Sequence, residues 1–398
     1  MRRLQQRVDR DKSTRNVVIA YIYPIAPVYE YDLSGVCVIL QRRSQAQSVH
    51  DTPLETVRVG VVGCGFIARS QHLPSIVQHP RAVLVAVCDV HAEIARASAE
   101  QFGALAWYKD DTRMLADSAP DLVVNCTPSP LHALITAHAL EANCHVYSEK
   151  PLALELPAAR QLIDQAAAAG LRLVVSPEVA LWPPVMRLAA LVRDGDLGEV
   201  HTVYARYGIN MPAAQPVRSA WYYQHGGGAL MDLGSYLVTA LVAILGPVRN
   251  VAARTRTLVP RRITATGEFA VSVEDTAILQ LEFVNGSLAA VQTGFSLAGG
   301  SGELTLELAG SRAMGAARGR DWFGAKVTCS LNGGLHELPP SRASSSVRTT
   351  GVGHTIDCVL AGRTPDLRPT DALHVLEVLL AAARSAREAL VIPVTPPE

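Results

Sequence analysis

The 398-residue chain has no surplus of charge: 36 basic residues balance 36 acidic ones. This removes any chain-wide attraction to nucleic acid or to an anionic membrane surface, and leaves a small molecule as the expected partner. Paired cysteines are missing too. The seven cysteines (37, 64, 88, 126, 144, 329 and 358) are odd in number and scattered, with no CxxC pair or zinc-ligand spacing, and the histidines form no HExxH. Neither a disulfide framework nor a metal site is expected. Cys64, Cys88 and Cys126 lie in or beside apolar strand-like runs, where a reduced thiol behaves as a small hydrophobe, a pattern that suits the cytoplasm. A membrane span is absent as well. The opening "MRRLQQRVDRDKSTRNVVIAYIYPIAPVYEYDLSGVCVIL" sets basic residues before an apolar segment, but Pro24, Pro27, Glu30 and Asp32 interrupt it. It falls short of the roughly 18 to 20 apolar residues a span needs, and no small-residue cleavage site follows.

Internal repeats and low-complexity linkers are also lacking, while the length favours two domains. Residues 1–55 carry no functional motif and read as an extension, either disordered or an added surface segment. From residue 57 the pattern alternates: strand "VRVGVVG", helix "FIARSQHLPSIVQH", strand "AVLVAVCD", helix "HAEIARASAEQFG". Strand "DLVVNCT", helix "LHALITAHALEANC", strand "HVYSE", helix "LPAARQLIDQAAAAG" and strand "LRLVVS" continue it. Continuously apolar strands between helices predict a doubly wound parallel sheet over residues 56–176. Residues 177–398 read differently. Alternating strands such as "VHTVYARYGI", "TAILQLEFVNG" and "SLAAVQTGFS", with a turn at Asn285-Gly286, predict an α+β domain with a large, mostly antiparallel sheet flanked by helices. "SRASSSVRTT" reads as a polar loop.

Gly63-x-Gly65-x-x-Ala68 follows the first strand and opens the first helix. Gly63 suits the tight turn, Gly65 lets backbone approach a pyrophosphate, and Ala68 keeps helix and sheet close, with Phe66 and Ile67 between them at the helix start. The second strand ends at Asp89, about 21 residues after Ala68, where an acid binds the adenine ribose hydroxyls. A carboxylate there repels a 2′-phosphate and His91 follows rather than an arginine, so NAD is favoured over NADP. "NCTPSPLH" and "HVYSEKP" end two further strands, where the nicotinamide half belongs. In the second half, "GGGALMDLGSYLVTALVAIL" reads as a glycine turn followed by a mostly apolar helix, with Asp232 and Tyr236 on one face.

The ordered set "GVVGCGFIA", "CD" at 88–89, "TPSPLH", "EKPL", "GDLGEV" and "GGGALMDLG" resembles the glucose-fructose oxidoreductase, inositol dehydrogenase and rhizopine-catabolism (Gfo/Idh/MocA) family, over about residues 57–395. The resemblance implies NAD(P)-dependent oxidation or reduction of a hydroxyl on a sugar, nucleotide-sugar, cyclitol or cyclic diol. It assigns Lys150 and Asp232 to the catalytic centre and Thr127, Pro128, His132, Glu149 and Lys150 to the cofactor side. Many members place histidine four residues after the acid, whereas this chain has Tyr236, as in the glucose-fructose oxidoreductase and dihydrodiol dehydrogenase branches. Tyr236 is then expected to exchange the substrate proton as a phenolate stabilised by Lys150, with Asp232 orienting the sugar. Trp182, Arg206, Tyr207, Trp221, Tyr223 and His225 are candidate substrate contacts, although each taken singly fits a core or surface position as well. Two other readings stay open at this level: a glycosidase that oxidises its substrate transiently with bound NAD, and a non-catalytic dinucleotide sensor. The resemblance also implies a homo-oligomer, dimer or tetramer, paired through the open face of the second sheet.

Overall fold

The computed structural model describes residues 55–210, 220–264, 267–301, 303–320, 322–331, 334–339 and 351–397. The extension 1–54 and the loop 341–350 lie outside the described residues. Six strands, β1 (Val57–Val62), β2 (Ala82–Cys88), β3 (Ala106–Tyr108), β4 (Leu122–Asn125), β5 (His145–Ser148) and β6 (Leu173–Val175), form a parallel sheet in the order β3-β2-β1-β4-β5-β6. Every residue of β4 and β5 is buried, because helices cover both faces. Those helices are α1 (Leu73–Gln78), α2 (Ala92–Phe102), α3 (Asp111–Ser118), α4 (His132–Glu141) and α5 (Leu156–Ala168). The strand order reverses between β1 and β4, which opens a crevice beyond their carboxyl ends. The first helix is less regular than its sequence predicts. A wide π-type turn, Ala68–His72, precedes α1, and Pro74 cannot donate back to the carbonyl of Ser70.

The second half begins with α6 (Pro183–Arg193) and contains α7 (Ser235–Leu245) and α9 (Pro369–Glu388). They cover one face of a ten-stranded sheet. Its strands include β7 (Val200–Asn210), β8 (Val248–Arg256), β11 (Thr276–Phe283), β12 (Leu288–Gly294), β14 (Leu304–Gly310), β15 (Met314–Gly319) and β16 (Lys326–Leu331). Pairing is antiparallel except between β7 and β12. Alternation decides which side is buried: Ala277, Leu279, Leu281 and Phe283 of β11 face the core, whereas Ile278 and Gln280 face out. Asn285-Gly286 makes the turn between β11 and β12, with Gly286 at φ +89°.

One boundary differs from the sequence reading. Helix α8 (Gly351–Ala361) returns to the first domain, where Val352 and Ile356 share a core with Val59, Val61 and Tyr147. Gly351 permits this approach, since a Cβ there would come 2.5 Å from the Tyr147 ring. Helix α9 then serves both cores, with Leu376 in the first and Val378 and Leu379 in the second. Helix α8 thus packs on the parallel sheet although it follows the second sheet in sequence.

Candidate active site

The glycine turn after β1 shows which of its residues the fold requires. Gly63 has φ +89°, and a Cβ there would lie 2.7 Å from the Cys126 backbone. Ala68 is fully buried. Gly65 is different, because a Cβ on it would meet nothing within 4 Å. Packing does not demand a glycine at that position, while a phosphate lying against the helix start would. Phe66 is exposed and Ile67 half-buried beside it. Asp89 is fixed at the end of β2: its Oδ2 accepts the Cys64 N–H and its Oδ1 the His91 N–H, both at 2.9 Å. Each carboxylate oxygen keeps a lone pair for a ribose diol. These residues fit a dinucleotide.

Toward the reaction end, β4 and β5 deliver two loops that are tied together. Asn125 Oδ1 accepts from Thr127 Oγ1 at 2.7 Å, holding the Thr127-Pro128 turn. His132 is buried, with Nδ1 2.6 Å from the Pro151 carbonyl and Nε2 2.6 Å from the Thr127 carbonyl. A neutral imidazole donates at only one of these contacts, and burial, opposed by the two carbonyl contacts, pushes the His132 pKa down. His132 thus staples the two loops together. Glu149 is anchored in turn by His72 Nε2 at 2.8 Å. Burial opposes its ionised form, but the hydrogen bond and charge of His72, with Lys150 and His132, hold the carboxyl down at about 2.

Lys150 reaches into the second half. Its Nζ donates to the Asp232 carbonyl at 2.9 Å and forms an ion pair with Asp232 Oδ1. Both side chains are almost nine-tenths buried. Asp232 does not sit on a regular helix: a π-type turn, Leu230–Gly234, precedes α7, and its carbonyl is shared by Lys150 and Ser235 Oγ. The three preceding glycines each have their own cause. A Cβ at Gly226 would crowd Leu154 and Ser129 Oγ, one at Gly227 the Tyr222 carbonyl, and one at Gly228 the Glu274 carboxylate. Ser129 Oγ donates to the Gly226 carbonyl, and Glu274 Oε1 accepts the Leu230 N–H. The glycines let the segment bearing Asp232 be clamped between two domains.

Tyr236 lies below Lys150, with Nζ 5.0 Å from the ring centroid, the geometry of a cation–π contact. This geometry differs from the expected contact with a phenolate oxygen. Burial first, then the charges of Glu149 and Asp232, pushes the phenol well above its ordinary value, so Tyr236 keeps its proton. Around its ring stand Trp182 (6.1 Å between centroids), Tyr207 (6.2 Å) and Trp322 (6.2 Å), with Phe323 tilted against Trp182 at 4.6 Å. Trp322 and Phe323 escaped the sequence reading because the β15–β16 connection carries no motif.

Other expected substrate contacts lie elsewhere. Arg206 occupies the face of β7 opposite Tyr207, as strand alternation requires, pointing away from the cluster. Tyr223 is a core residue between Phe269, Phe295 and the Arg262 guanidinium. Trp221 stacks on Tyr222 at 4.0 Å, and His225 is exposed beside the glycines. Among the described residues, no cluster of three or more His, Cys, Asp or Glu is placed to hold a metal ion.

Residues 57–176 match an oxidoreductase family with an NAD-binding Rossmann fold, and residues 185–315 match the Gfo/Idh/MocA C-terminal domain. The chain is 31% identical to D-glucoside 3-dehydrogenase of Escherichia coli (strain K12), over 61% of this chain and 71% of the relative. It is 31% identical to dTDP-3,4-didehydro-2,6-dideoxy-alpha-D-glucose 3-reductase of Streptomyces violaceoruber, over 67% of this chain and 77% of the relative. The crystal structure of the WlbA dehydrogenase from Bordetella pertussis, in complex with NADH and UDP-GlcNAcA, superimposes with a TM-score of 0.73 at 25% identity, over 85% of this chain and 99% of that one. With its parallel dinucleotide-binding sheet, its open second sheet and both domain matches, the chain belongs to the Gfo/Idh/MocA family of NAD-binding oxidoreductases.

Proposed function

We propose that the chain moves a hydride between NAD and a ring CH–OH or keto carbon of a sugar, nucleotide-sugar or cyclitol, with Lys150, Asp232 and Tyr236 as the catalytic residues. The observation that carries this reading is the buried Lys150–Asp232 pair above Tyr236, at the carboxyl end of β5. D-glucoside 3-dehydrogenase and the dTDP-sugar 3-reductase act, by their names, on sugar rings. Bound NAD supplies the hydride acceptor. Lys150 has three N–H donors, and Asp232 takes two of them, leaving one for the substrate oxygen. Its charge stabilises that oxygen as it becomes anionic, and Asp232 keeps the ammonium in place. Tyr236, held as a phenol, donates its proton in the reducing direction, and oxidation speeds up as pH rises toward the phenol's raised pKa.

The carboxylate of Asp89 supports NAD over NADP. The outer face of the second sheet, with exposed Tyr204, Ile278, Leu288 and Met314, supports self-association as a dimer or tetramer. Among the described residues no helix is long and apolar enough to cross a membrane. The test is absorbance at 340 nm with NAD or NADP and a panel of free sugars, methyl glycosides, nucleotide-sugars and inositols. NADH formation from a sugar or cyclitol is expected; hydrolysis without NADH would instead indicate a glycosidase that recycles its cofactor.

A further inference from the structure

Two donors beside the catalytic pair are left over. Trp182 is 7% exposed and Trp322 is 3% exposed, yet neither indole Nε1–H has an acceptor among the described residues. A buried N–H without a partner is costly, and the indole nitrogen only donates. The two rings lie 5.6 Å apart, and each lies within 6.2 Å of Tyr236. Tyr207 meets Trp322 edge-on at 5.3 Å. Phe323 is 40% exposed while packing on Trp182. The cluster is assembled from distant segments: the entry to α6, strand β7, helix α7 and the β15–β16 connection.

We propose that Trp182, Trp322 and Phe323 form a specificity subsite for an uncharged pyranose ring, whose oxygens accept the two indole N–H groups while its C–H face lies on the aromatic rings. This deepens the oxidoreductase reading and rests on it. The argument for an oxygen-rich ring is the coincidence of orphaned donors with aromatic faces, since a pyranoside offers both acceptors and an apolar C–H surface. The argument for a neutral ring is electrostatic. Among the described residues, Lys150 is the cation placed over this cluster, and it is already paired with Asp232, so a carboxylate or phosphate among these rings would be desolvated without a free counter-charge. The same ring is presented either by a free pyranoside or by a nucleoside-diphosphate sugar, whose phosphates would lie beyond the cluster.

The test uses the full-length, NADH-loaded protein and isothermal titration with D-glucose, methyl α-D-glucopyranoside, D-galactose, myo-inositol, D-glucuronate, glucose 6-phosphate and UDP-glucose. Steady-state kinetics follow on each compound turned over. At least one neutral pyranoside, free or nucleotide-borne, is expected to bind more tightly than glucuronate or glucose 6-phosphate. Trp182→Phe and Trp322→Phe keep an aromatic ring and remove the donor; each is expected to raise Kd and KM about fivefold with kcat within about twofold. Phe323→Ala, at a partly exposed position, is expected to raise KM while leaving the melting temperature and NADH affinity unchanged. Methyl glucoside and UDP-glucose separate the two carriers, and a fivefold loss with either one supports the subsite. Unchanged Kd and KM in both tryptophan variants would overturn it. So would NADH binding accompanied by no neutral pyranoside binding, or by preference for the charged sugars. Failure of NADH to bind at all would instead overturn the underlying oxidoreductase reading.

Discussion

The two halves of the site are built on opposite plans. The dinucleotide half takes its residues from short contiguous motifs, Gly63 to Ala68, Asp89, Thr127 to His132 and Glu149 to Pro151, each at the end of a strand in one parallel sheet. The proposed substrate half collects Trp182, Tyr207, Asp232, Tyr236, Trp322 and Phe323 from segments spread over about 140 residues. A cofactor common to many reactions is met by a turn geometry that short motifs encode, whereas a substrate is met by whichever side chains packing brings together. Lys150 belongs to both, anchored in one half and paired in the other.

The largest expected effect strikes where the halves join. Asp232→Ala leaves the buried ammonium of Lys150 without its counter-ion, and a loss of about 3–5 kcal/mol of stability is expected in denaturant titration. Asp232→Asn is expected to fold with a smaller loss and to bind NADH normally. Tyr236→Phe separates substrate chemistry from cofactor binding: kcat should fall about 100-fold with the Kd for NADH unchanged. Should kcat stay within threefold, Tyr236 is only a wall of the pocket.

A pair of glycine substitutions tests the contrast inside the dinucleotide half. Gly63→Ala meets both a positive φ and the Cys126 backbone, so a destabilisation of about 1–3 kcal/mol is expected. Gly65→Ala meets only open space, so its melting temperature should match the parent while NADH binds about tenfold more weakly. Equal losses of stability in the two variants would mean that packing, and not a ligand, requires Gly65.

The smallest effect is the response of stability to pH. His132, His354 and His374 are held below the ordinary imidazole value, in each case chiefly by burial. The unfolded chain therefore takes up protons before the folded chain as pH drops through about 6.5, and stability falls in that direction. On the alkaline side Tyr147 and Tyr236 are pushed up by burial, so the unfolded chain releases protons first, near about pH 10. The melting temperature is expected to peak between about pH 7 and 9 and to decline on both sides. A melting temperature that rises steadily from pH 7 to pH 5 would contradict the buried histidine assignment.

Much of the dinucleotide half was legible because strand, turn and helix follow one another within a few residues. The exceptions there are local too: β3 is only three residues long, and the π-type turn before α1 depends on Pro74 inside an apparently regular helical pattern. In the substrate half, hairpins such as β11–β12 were legible from alternation and the Asn285-Gly286 turn. Strand β15, "MGAARG", was not, since glycine and alanine give it little strand character and its pairing with β14 and β16 decides its state. The motifs singled out Lys150, Asp232 and Tyr236, but the contact of Lys150 with the ring face was not legible, because it depends on the π-type turn at Leu230–Gly234. Arg206 shows the converse, for one residue's shift along a strand moved it to the opposite face from Tyr207.

The most direct test of the whole account is Lys150→Met, compared with the parent by NADH titration and by turnover of the best sugar found in the panel. The account predicts an NADH Kd within about threefold of the parent and a kcat lower by about 1,000-fold or more, since Lys150 serves the substrate oxygen and its loss removes the charge above Tyr236. Turnover within tenfold of the parent would contradict it.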